Sequence, residues 1–477
     1  MIKLSVPPEI IKFFQSGSRL LVVKGNPGTG KTIFSLTVFK KLKELGFSGV
    51  YVTTRTWPED LYADLPWIKD VIPPSAIIDA TNPLLQQKQV VSRLDIIKTR
   101  FATATEFFGT ILKIMEKKAQ NIMLIDSWNT ILEVVNQQEE SLENLLHDAI
   151  KTMKINAIVI QERPTLSRLE FIADGVIALE DTPTGRKLII NKLRGIQRDI
   201  REYTFSLSNG MFRYYEPLLL AKTKGQDVSF EKRLSTGCKE LDKMLEGGIP
   251  RGFTVLVSGP IGTGKTIIGL EYIYSGLKNG EAGLIISFEE TPEQIAQEAK
   301  RIGFNFNKYK DLLAIIYLIP TKENIEEHIF NLRKIIDEQK PKRIFIDGVR
   351  EYENIFTHKE ELRVFLHKLV NFFRTKGITT MMSAEIPGII GGELKITDKG
   401  ISAIVDGIIL LRFVEESSSI AKAIHILKMR GTNHDRGIRR YTIGRQGIKI
   451  GGRFKNLEGL MSGQPSRLTQ KVEEFLE

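Results

Sequence analysis

Two copies of one phosphate-binding motif constrain the fold of this 477-residue chain more than any other feature. Both match G-x-x-x-x-G-K-[ST], in which glycines let backbone N–H groups cradle phosphate, the lysine reaches the β- and γ-phosphates, and the hydroxyl binds Mg²⁺. The first loop is Gly25, Asn26, Pro27, Gly28, Thr29, Gly30, Lys31 and Thr32, and the second is Gly259, Pro260, Ile261, Gly262, Thr263, Gly264, Lys265 and Thr266. Each follows an apolar strand-like run (19–23 and 253–257) and opens a helix-like run, so the sequence predicts two sites for ATP and Mg²⁺.

The rest of the chain repeats in step with these loops. In each half an apolar run ends in an acid, at Asp126 and Asp347, and a Lys-x-Arg-Gly sequence follows later. The repeat is far longer than the units of stacked-repeat proteins and therefore predicts duplicated domains. Short apolar runs alternate with helical patterns, which is typical of βαβ units on a mainly parallel, twisted sheet. We expect an α/β protein with domains at 1–222 and 223–460 and a tail at 461–477.

The second half has the clearest element pattern. Its predicted strands are 283–288, 313–318, 343–347, 379–383, 407–413 and 423–427, and its predicted helices are 292–301, 325–338 and 359–375. No helical run separates the last two strands, so we expect an antiparallel hairpin at the end of the parallel sheet.

Composition indicates a globular protein without a membrane span. Hydrophobic residues make up 42% and charged residues 26%, and no apolar run reaches about 18 residues. Pro7, Pro8 and Glu9 interrupt any leader-like apolar stretch. Cys238 is the single cysteine, which excludes an intrachain disulfide and favours a cytoplasmic location. The net charge of +11 permits nucleic-acid binding, although the cations are spread along the chain.

The acids at the two strand ends are candidate metal ligands. A strand's carboxyl end in a phosphate-loop fold lies near the metal, so Asp126 with Thr32 and Asp347 with Thr266 could hold Mg²⁺, directly or through water. The alternative is that each acid caps the helix that follows it.

Hydrolysis also needs a group that deprotonates water. Glu289 and Glu290 directly follow a predicted strand, and repulsion between adjacent carboxylates raises one pKa and improves it as a base. The alternative is an acidic helix start that interacts favourably with the helix dipole.

The first half differs at this place. Aligned on the following proline, Arg55 and Thr56 replace the two glutamates. Because arginine stays protonated, it cannot act as a base, although it could hold a phosphate. We therefore expect the first site to bind ATP and to hydrolyse it slowly or not at all, unless Glu59 or Asp60 substitutes.

The Lys-x-Arg-Gly sequences contain Lys192 and Arg194 in the first half and Lys428 and Arg430 in the second. They are either solvated basic turns or cationic fingers that reach the γ-phosphate on a neighbouring subunit. Their occurrence in both halves favours the second interpretation.

Further motifs carry a family resemblance: 233–237, 241–242, 247–248, 288–290, 428–434, 454–457 and 462–467. With the two loops, they make the chain resemble the KaiC family of circadian-clock ATPases and its archaeal relatives, over both halves. The resemblance implies tandem RecA-like domains and a homo-oligomeric ring in the family's hexameric form, with ATP between subunits and regulatory proteins as partners. It also implies that Glu289 and Glu290 activate water and that Lys428, Arg430, Lys192 and Arg194 act on a neighbour's nucleotide.

The same resemblance implies Ser/Thr autophosphorylation in the second domain. Ser402 matches the family's serine, Ala403 replaces the adjacent threonine, and Thr397 matches a nearby threonine. The departure at Ala403 argues against a clock function.

Two other functions remain as alternatives to a signalling ATPase. One is a RecA/RadA-type recombinase or ring helicase, for which 388–392 with Lys395 and Lys399 would supply a pore loop, although it lacks aromatic residues for base stacking. The other is a structural ring clamped by ATP with little turnover.

Overall fold

The computed structural model of the chain describes residues 6–80, 97–98, 104–117, 121–135, 139–162, 167–182, 185–218, 229–318, 325–356, 358–386, 401–416, 419–454, 457–458 and 466–467. The chain divides into two compact units, Met1–Pro217 and Leu218–Glu477. The domain limits at 222 and 460 stay predictions. Most of the predicted tail lies outside the described residues, as do Thr397 and the segment 388–392 with Lys395 and Lys399.

The first unit alternates strands and helices. Its helices are α1 (Pro8–Gln15), α2 (Lys31–Glu44), α3 (Pro58–Asp64), α4 (Ala104–Lys117), α5 (Trp128–Val135), α6 (Glu139–Thr152) and α7 (Arg168–Ile172). Its strands are β1 (Leu20–Gly25), β2 (Gly49–Thr53), β3 (Ile77–Asp79), β4 (Ile97–Lys98), β5 (Ile122–Asp126), β6 (Asn156–Gln161), β7 (Gly175–Thr182), β8 (Gly185–Leu193), β9 (Glu202–Ser206) and β10 (Arg213–Tyr215).

These strands form one sheet with the order β10-β9-β8-β7-β1-β6-β5-β2-β3-β4. Strand β1 pairs in parallel with β6 and β7, and the strands β7 to β10 pair antiparallel. Four consecutive residues of β1 are fully buried because helices cover both faces, which is why this strand reads as a continuous apolar run. The β1 position places the first phosphate loop at the centre of the sheet's carboxyl edge.

The second unit repeats this plan. Its helices are α8 (Lys239–Met244), α9 (Lys265–Lys278), α10 (Pro292–Arg301), α11 (Ile325–Gln339), α12 (Lys359–Thr375) and α13 (Ile401–Ile404). Its strands are β11 (Ser229–Leu234), β12 (Ile249–Arg251), β13 (Thr254–Gly259), β14 (Gly283–Ser287), β15 (Leu313–Tyr317), β16 (Arg343–Asp347), β17 (Thr379–Glu385), β18 (Gly407–Glu416), β19 (Ser419–Met429), β20 (Arg439–Gly444), β21 (Gly447–Arg453), β22 (Leu457–Glu458) and β23 (Ser466–Arg467).

The main sheet of this unit has the order β15-β14-β16-β17-β13-β18-β19-β20-β21. Strands β13 to β18 pair in parallel, and β18 and β19 form the expected antiparallel hairpin. Two further antiparallel strands, β20 and β21, follow it and were not expected, because their alternating charged and glycine residues hide the strand pattern.

Each sheet buries an apolar layer on both faces. In the second unit one layer packs α9 and the β19–β21 strands against β13, and the other packs α11 and α12 against β14, β16 and β17. The architecture confirms the predicted fold class of tandem RecA-like α/β domains. One strand lies between the loop strand and the acid-bearing strand in both units: β6 between β1 and β5, and β17 between β13 and β16.

Candidate functional site

The backbone of both loops forms an anion cradle. In the first loop Gly28 and Gly30 have φ angles of 82° and 93°, and in the second Gly262 and Gly264 have 78° and 91°. Only glycine adopts this left-handed conformation without strain. Helices α2 and α9 begin directly at the loop lysines, so their unpaired N–H groups and positive dipole ends face the loop. Both loops can therefore bind phosphate.

Antiparallel strands at the far end of each sheet support the loops. A Cβ added to Gly30 would lie 2.5 Å from Leu207 Cδ1, and one added to Gly264 would lie 2.4 Å from Ile443 Cδ1. The buried Tyr441 hydroxyl donates a 2.6 Å hydrogen bond to the Thr263 carbonyl. These supporting residues were missed at the sequence level because Leu207 directly follows β9 and the other two lie on β20, and both strands are remote from the loops in sequence.

The loop lysines lie within the loops. Lys31 Nζ donates to the carbonyls of Gly25 and Asn26, each at 2.8 Å, and Lys265 Nζ donates to the Pro260 carbonyl at 3.1 Å. Burial lowers the pKa of both lysines, and neighbouring acids oppose this effect. Each ammonium is therefore a poorly hydrated cation, suited to exchange its carbonyl contacts for phosphate oxygens.

Each candidate metal site brings together one hydroxyl and one carboxylate. Thr32 Oγ1 donates to Asp126 Oδ2 at 2.7 Å, and Thr266 Oγ1 donates to Asp347 Oδ2 at 2.9 Å. Burial raises the pKa of both acids. Such hard oxygen donors fit a divalent cation like Mg²⁺, which is commonly held by one or two protein groups together with substrate phosphates. Across the described part of the chain, no three His, Cys, Asp or Glu side chains lie together as a metal cluster.

Further contacts orient these acids. Ser383 Oγ donates to Asp347 Oδ1 at 2.5 Å, and Tyr51 OH donates to Asp126 Oδ2 at 3.1 Å. The helix-cap alternative fits Asp347 poorly, because Gly348 occupies the cap position of the following 3₁₀ turn and both Asp347 oxygens bind hydroxyls.

In the second unit, Glu289 lies beside the metal-site acid. A Cβ added to Gly348 would lie 3.0 Å from Glu289 Oε1, so this carboxylate packs on the residue directly after Asp347. Burial, and then the charge of Asp347, raise the pKa of Glu289, which makes it a stronger base. The helix-start alternative fits Glu293, because α10 begins at Pro292, after both glutamates.

Glu290 has a different environment. Its backbone N–H donates to Ser287 Oγ at 2.9 Å, and its carboxylate interacts electrostatically with Glu298 on α10. Burial and the Glu290 charge raise the pKa of Glu298 to about 7. Glu290 thus interacts with the carboxyl group of Glu298, whereas Glu289 interacts with Asp347, the candidate metal ligand.

In the first unit, Arg55 takes the place of Glu289. In the first sheet Thr53 pairs with Asp126, and in the second Ser287 pairs with Asp347, so Thr53 and Ser287 are equivalent. Arg55 and Glu289 each lie two residues further along the chain and are therefore equivalent as well. The guanidinium donates to Glu162 Oε2 at 2.5 Å and to Thr130 Oγ1 at 3.0 Å. The possible substitutes, Glu59 and Asp60, are exposed in the first turn of α3.

A second acid near each loop was not expected. Glu162 directly follows β6 and Glu385 ends β17, and both strands flank the loop strand. Glu162 interacts electrostatically with Lys31, and Glu385 does so with Lys265. Only the strand order reveals this position, because each acid is far from its loop in sequence.

The four candidate trans cations lie at the opposite end of the sheet. Lys192 pairs with Val176 and Lys428 with Ile408, near the amino ends of β7 and β18, whereas the phosphate loops follow the carboxyl ends of β1 and β13. Lys192 Nζ donates to the Phe171 carbonyl at 3.1 Å. The structure does not bring these cations to the loop of their own unit.

The second basic turn contacts the candidate phosphorylation segment. Lys428 Nζ donates to the Ser402 carbonyl at 2.9 Å, and Arg430 Nη2 donates to the Ala403 carbonyl at 2.8 Å. Ser402 lies in the short helix α13 and is partly exposed. In the first unit, Arg194 is 3.8 Å from the buried Asp174 carboxylate.

The fold and the sites define a tandem RecA-like P-loop ATPase. In each of the two units a phosphate loop follows the central strand, and a strand that ends in an acid lies two positions away in the sheet. The chain belongs to the KaiC ATPase family, whose sequence model, described as "ATPase: KaiC", matches residues 14–217 and 234–454. This membership implies ATP and a divalent metal.

Named relatives match over nearly the whole chain. A circadian clock protein KaiC3 from Synechocystis sp. (strain ATCC 27184 / PCC 6803 / Kazusa) is 31% identical over 96% of this chain and 92% of its own length. The circadian clock oscillator protein KaiC of Synechococcus elongatus is 27% identical, covering 94% of this chain and 88% of its own. Among the described residues, no helix has the length and apolar character required to cross a membrane.

Proposed function

We propose that this protein is a KaiC-like regulatory ATPase that hydrolyses ATP mainly in its second domain and retains ATP in its first. The observation that carries this proposal is the exchange at one sheet position: Glu289 beside Asp347 in the second unit and Arg55 beside Glu162 in the first. A carboxylate with a raised pKa can accept a proton from water, whereas a guanidinium cannot.

Mg²⁺ is the proposed divalent metal, held by Thr32 with Asp126 and by Thr266 with Asp347. When bound, it would neutralise charge on the phosphate oxygens. The chain's own groups do the rest: the loop N–H groups and lysine bind the triphosphate, and Glu289 takes the proton from the attacking water.

The proposed assembly is a homo-oligomeric ring, in the hexameric form that the family resemblance implies. The positions of Lys192, Arg194, Lys428 and Arg430 support action in trans, because they lie at the strand ends remote from their own loops. In a ring these cations would neutralise charge on the nucleotide of the neighbouring subunit. Autophosphorylation on Ser402 and regulatory protein partners in the cytoplasm belong to the same proposal.

Matched loop variants test the division of labour. Lys265→Ala should remove most turnover of the full chain, whereas Lys31→Ala should leave most turnover intact and remove most of the ATP that co-purifies per chain. Equal losses of turnover from both variants would contradict the proposal. Turnover is compared at matched oligomeric state, because action in trans requires the ring. Preserved turnover in a dissociated Lys31→Ala chain would refute the trans role of Lys428 and Arg430.

A further inference from the structure

The first site keeps an acid although it lacks the two glutamates. Lys24 on β1 pairs with Gln161 on β6, so the next residue, Glu162, lies beside Gly25 at the start of the loop. Its charge acts on both Lys31 and Asp126. Since the loop lysine reaches the β- and γ-phosphates, Glu162 faces the region where water would attack.

The second site has the same acid in a different setting. Gly259 pairs with Glu385, and the charge of Glu385 acts on Lys265 and on Glu289. In the second site, Glu289 occupies the position that Arg55 occupies in the first. The two like-charged acids of the second site, Glu385 and Glu289, are therefore replaced in the first site by an ion pair between Glu162 and Arg55.

This ion pair changes what Glu162 can do. Arg55 binds one Glu162 oxygen and is itself held by Thr130, which fixes the guanidinium from two sides. Arg55 occupies one oxygen of Glu162 with a charge-assisted hydrogen bond, so that oxygen cannot accept a proton from water while the ion pair is closed. The side chains of Arg55 and Glu162 are 50% and 26% exposed, so the pair can open to solvent.

We propose that Glu162 is the latent general base of the first site and that Arg55 is a positioning residue that withholds it. This inference rests on the proposed function, because it requires ATP at Lys31. If Glu162 is released, it takes one proton from the attacking water while the water oxygen bonds to the γ-phosphorus. The bond from that phosphorus to the β–γ bridging oxygen breaks, and ADP leaves with the electron pair.

The experiment uses the full chain with the second site disabled by Glu289→Gln and Glu290→Gln. In this background Arg55→Gln should raise turnover about 10²-fold at an unchanged KM, the lower end of what a positioned base contributes. Arg55→Lys, which keeps the positive charge, should leave turnover low. Adding Glu162→Gln or Lys31→Ala to Arg55→Gln should abolish the gain.

The outcomes separate this inference from the function on which it rests. If the Arg55→Gln chain binds a fluorescent ATP analogue at Lys31 and shows no gain in turnover, or if the gain survives Glu162→Gln, the role of Glu162 is refuted while ATP storage stands. A gain that survives Lys31→Ala would arise outside the first site and also refute it. If Lys31→Ala leaves bound ATP per chain unchanged in the parent, the first site does not hold ATP and both proposals fail.

Discussion

Tyr441 donates a 2.6 Å hydrogen bond to the carbonyl of Thr263, so an antiparallel strand at the far side of the second sheet holds the phosphate loop. The hydroxyl is buried, and its removal would leave the carbonyl without this donor. We expect Tyr441→Phe to destabilise the ordered loop by about 1–3 kcal/mol, which weakens ATP binding at the second site by about 5–150-fold. Titration with a fluorescent ATP analogue in a Lys31→Ala background measures this site alone.

The first unit supplies a natural control for that prediction. Phe205 pairs with Arg186 as Tyr441 pairs with Lys422, so the first unit has no hydroxyl at this register. Phe205→Leu should therefore change ATP affinity of the second site by less than about twofold. An unchanged affinity in Tyr441→Phe would show that the hydrogen bond does not order the loop.

The metal-site acid should control the metal dependence of turnover. Asp347→Asn removes the charge of the proposed metal ligand and retains the shape of the side chain. We expect turnover to fall by at least about 10²-fold and the Mg²⁺ concentration for half-maximal rate to rise. A Mg²⁺ titration of steady-state turnover measures both effects.

The matched variant in the first unit is Asp126→Asn. It should leave most turnover intact and reduce the ATP retained per chain, because this site stores nucleotide in our account. A larger loss of turnover from Asp126→Asn than from Asp347→Asn would reverse the assignment of the two sites.

Action in trans can be tested by mixing two inactive chains. One chain carries Lys428→Ala and Arg430→Ala and keeps the two glutamates. The other chain carries Glu289→Gln and Glu290→Gln and keeps the basic turn. In randomly mixed rings about a quarter of the interfaces would combine intact acids with an intact neighbouring turn, so about a quarter of the parental rate should return. Mass spectrometry shows whether the oligomers contain both chains. If they do and turnover does not recover, the basic turn takes no part in the reaction.

Glu271 should make the second unit less stable as the pH rises. It is buried on α9 and accepts a 2.9 Å hydrogen bond from the Ile448 N–H, and burial raises its pKa from 4.5 to about 7. The unfolded chain releases this proton near pH 4.5, whereas the folded state keeps it up to about pH 7. The proton therefore stabilises the folded state fully below pH 4.5, and this stabilisation is lost as the pH rises to about 7. The loss can reach about 3 kcal/mol.

Glu271→Gln removes this titration and keeps an oxygen that can accept from Ile448. The variant should therefore gain thermal stability relative to the parent on going from pH 5 to pH 8, measured by calorimetry. A stability difference between variant and parent that does not change with pH would show that Glu271 does not carry the buried proton.

The sequence predicts the chemistry of the loops better than their support. Lys31, Thr32, Lys265 and Thr266 are fixed by local requirements of phosphate and metal binding, so a short pattern reveals them. Leu207, Tyr441 and Ile443 reach the loops only through the register of distant antiparallel strands, and their own sequence shows no phosphate-binding pattern.

The acids illustrate the same limit. Glu289 and Glu290 could be proposed from the sequence because they follow a strand and precede a helix start within a few residues. Glu162 and Glu385 could not, because only the order β6 beside β1 and β17 beside β13 brings them to the loops. The Arg55 substitution was visible in the sequence, but its partner depends on that strand order.

The most direct test of the asymmetry is the fate of ATP bound to both sites in one chain. The parent protein is loaded with γ-labelled ATP and Mg²⁺, separated from free nucleotide, and quenched at intervals to count ATP and ADP per chain. We predict that one equivalent is hydrolysed within a turnover time while the other remains ATP, and that Glu289→Gln with Glu290→Gln preserves both. Two equivalents lost at the same rate in the parent, or unchanged hydrolysis in the double variant, would contradict the account.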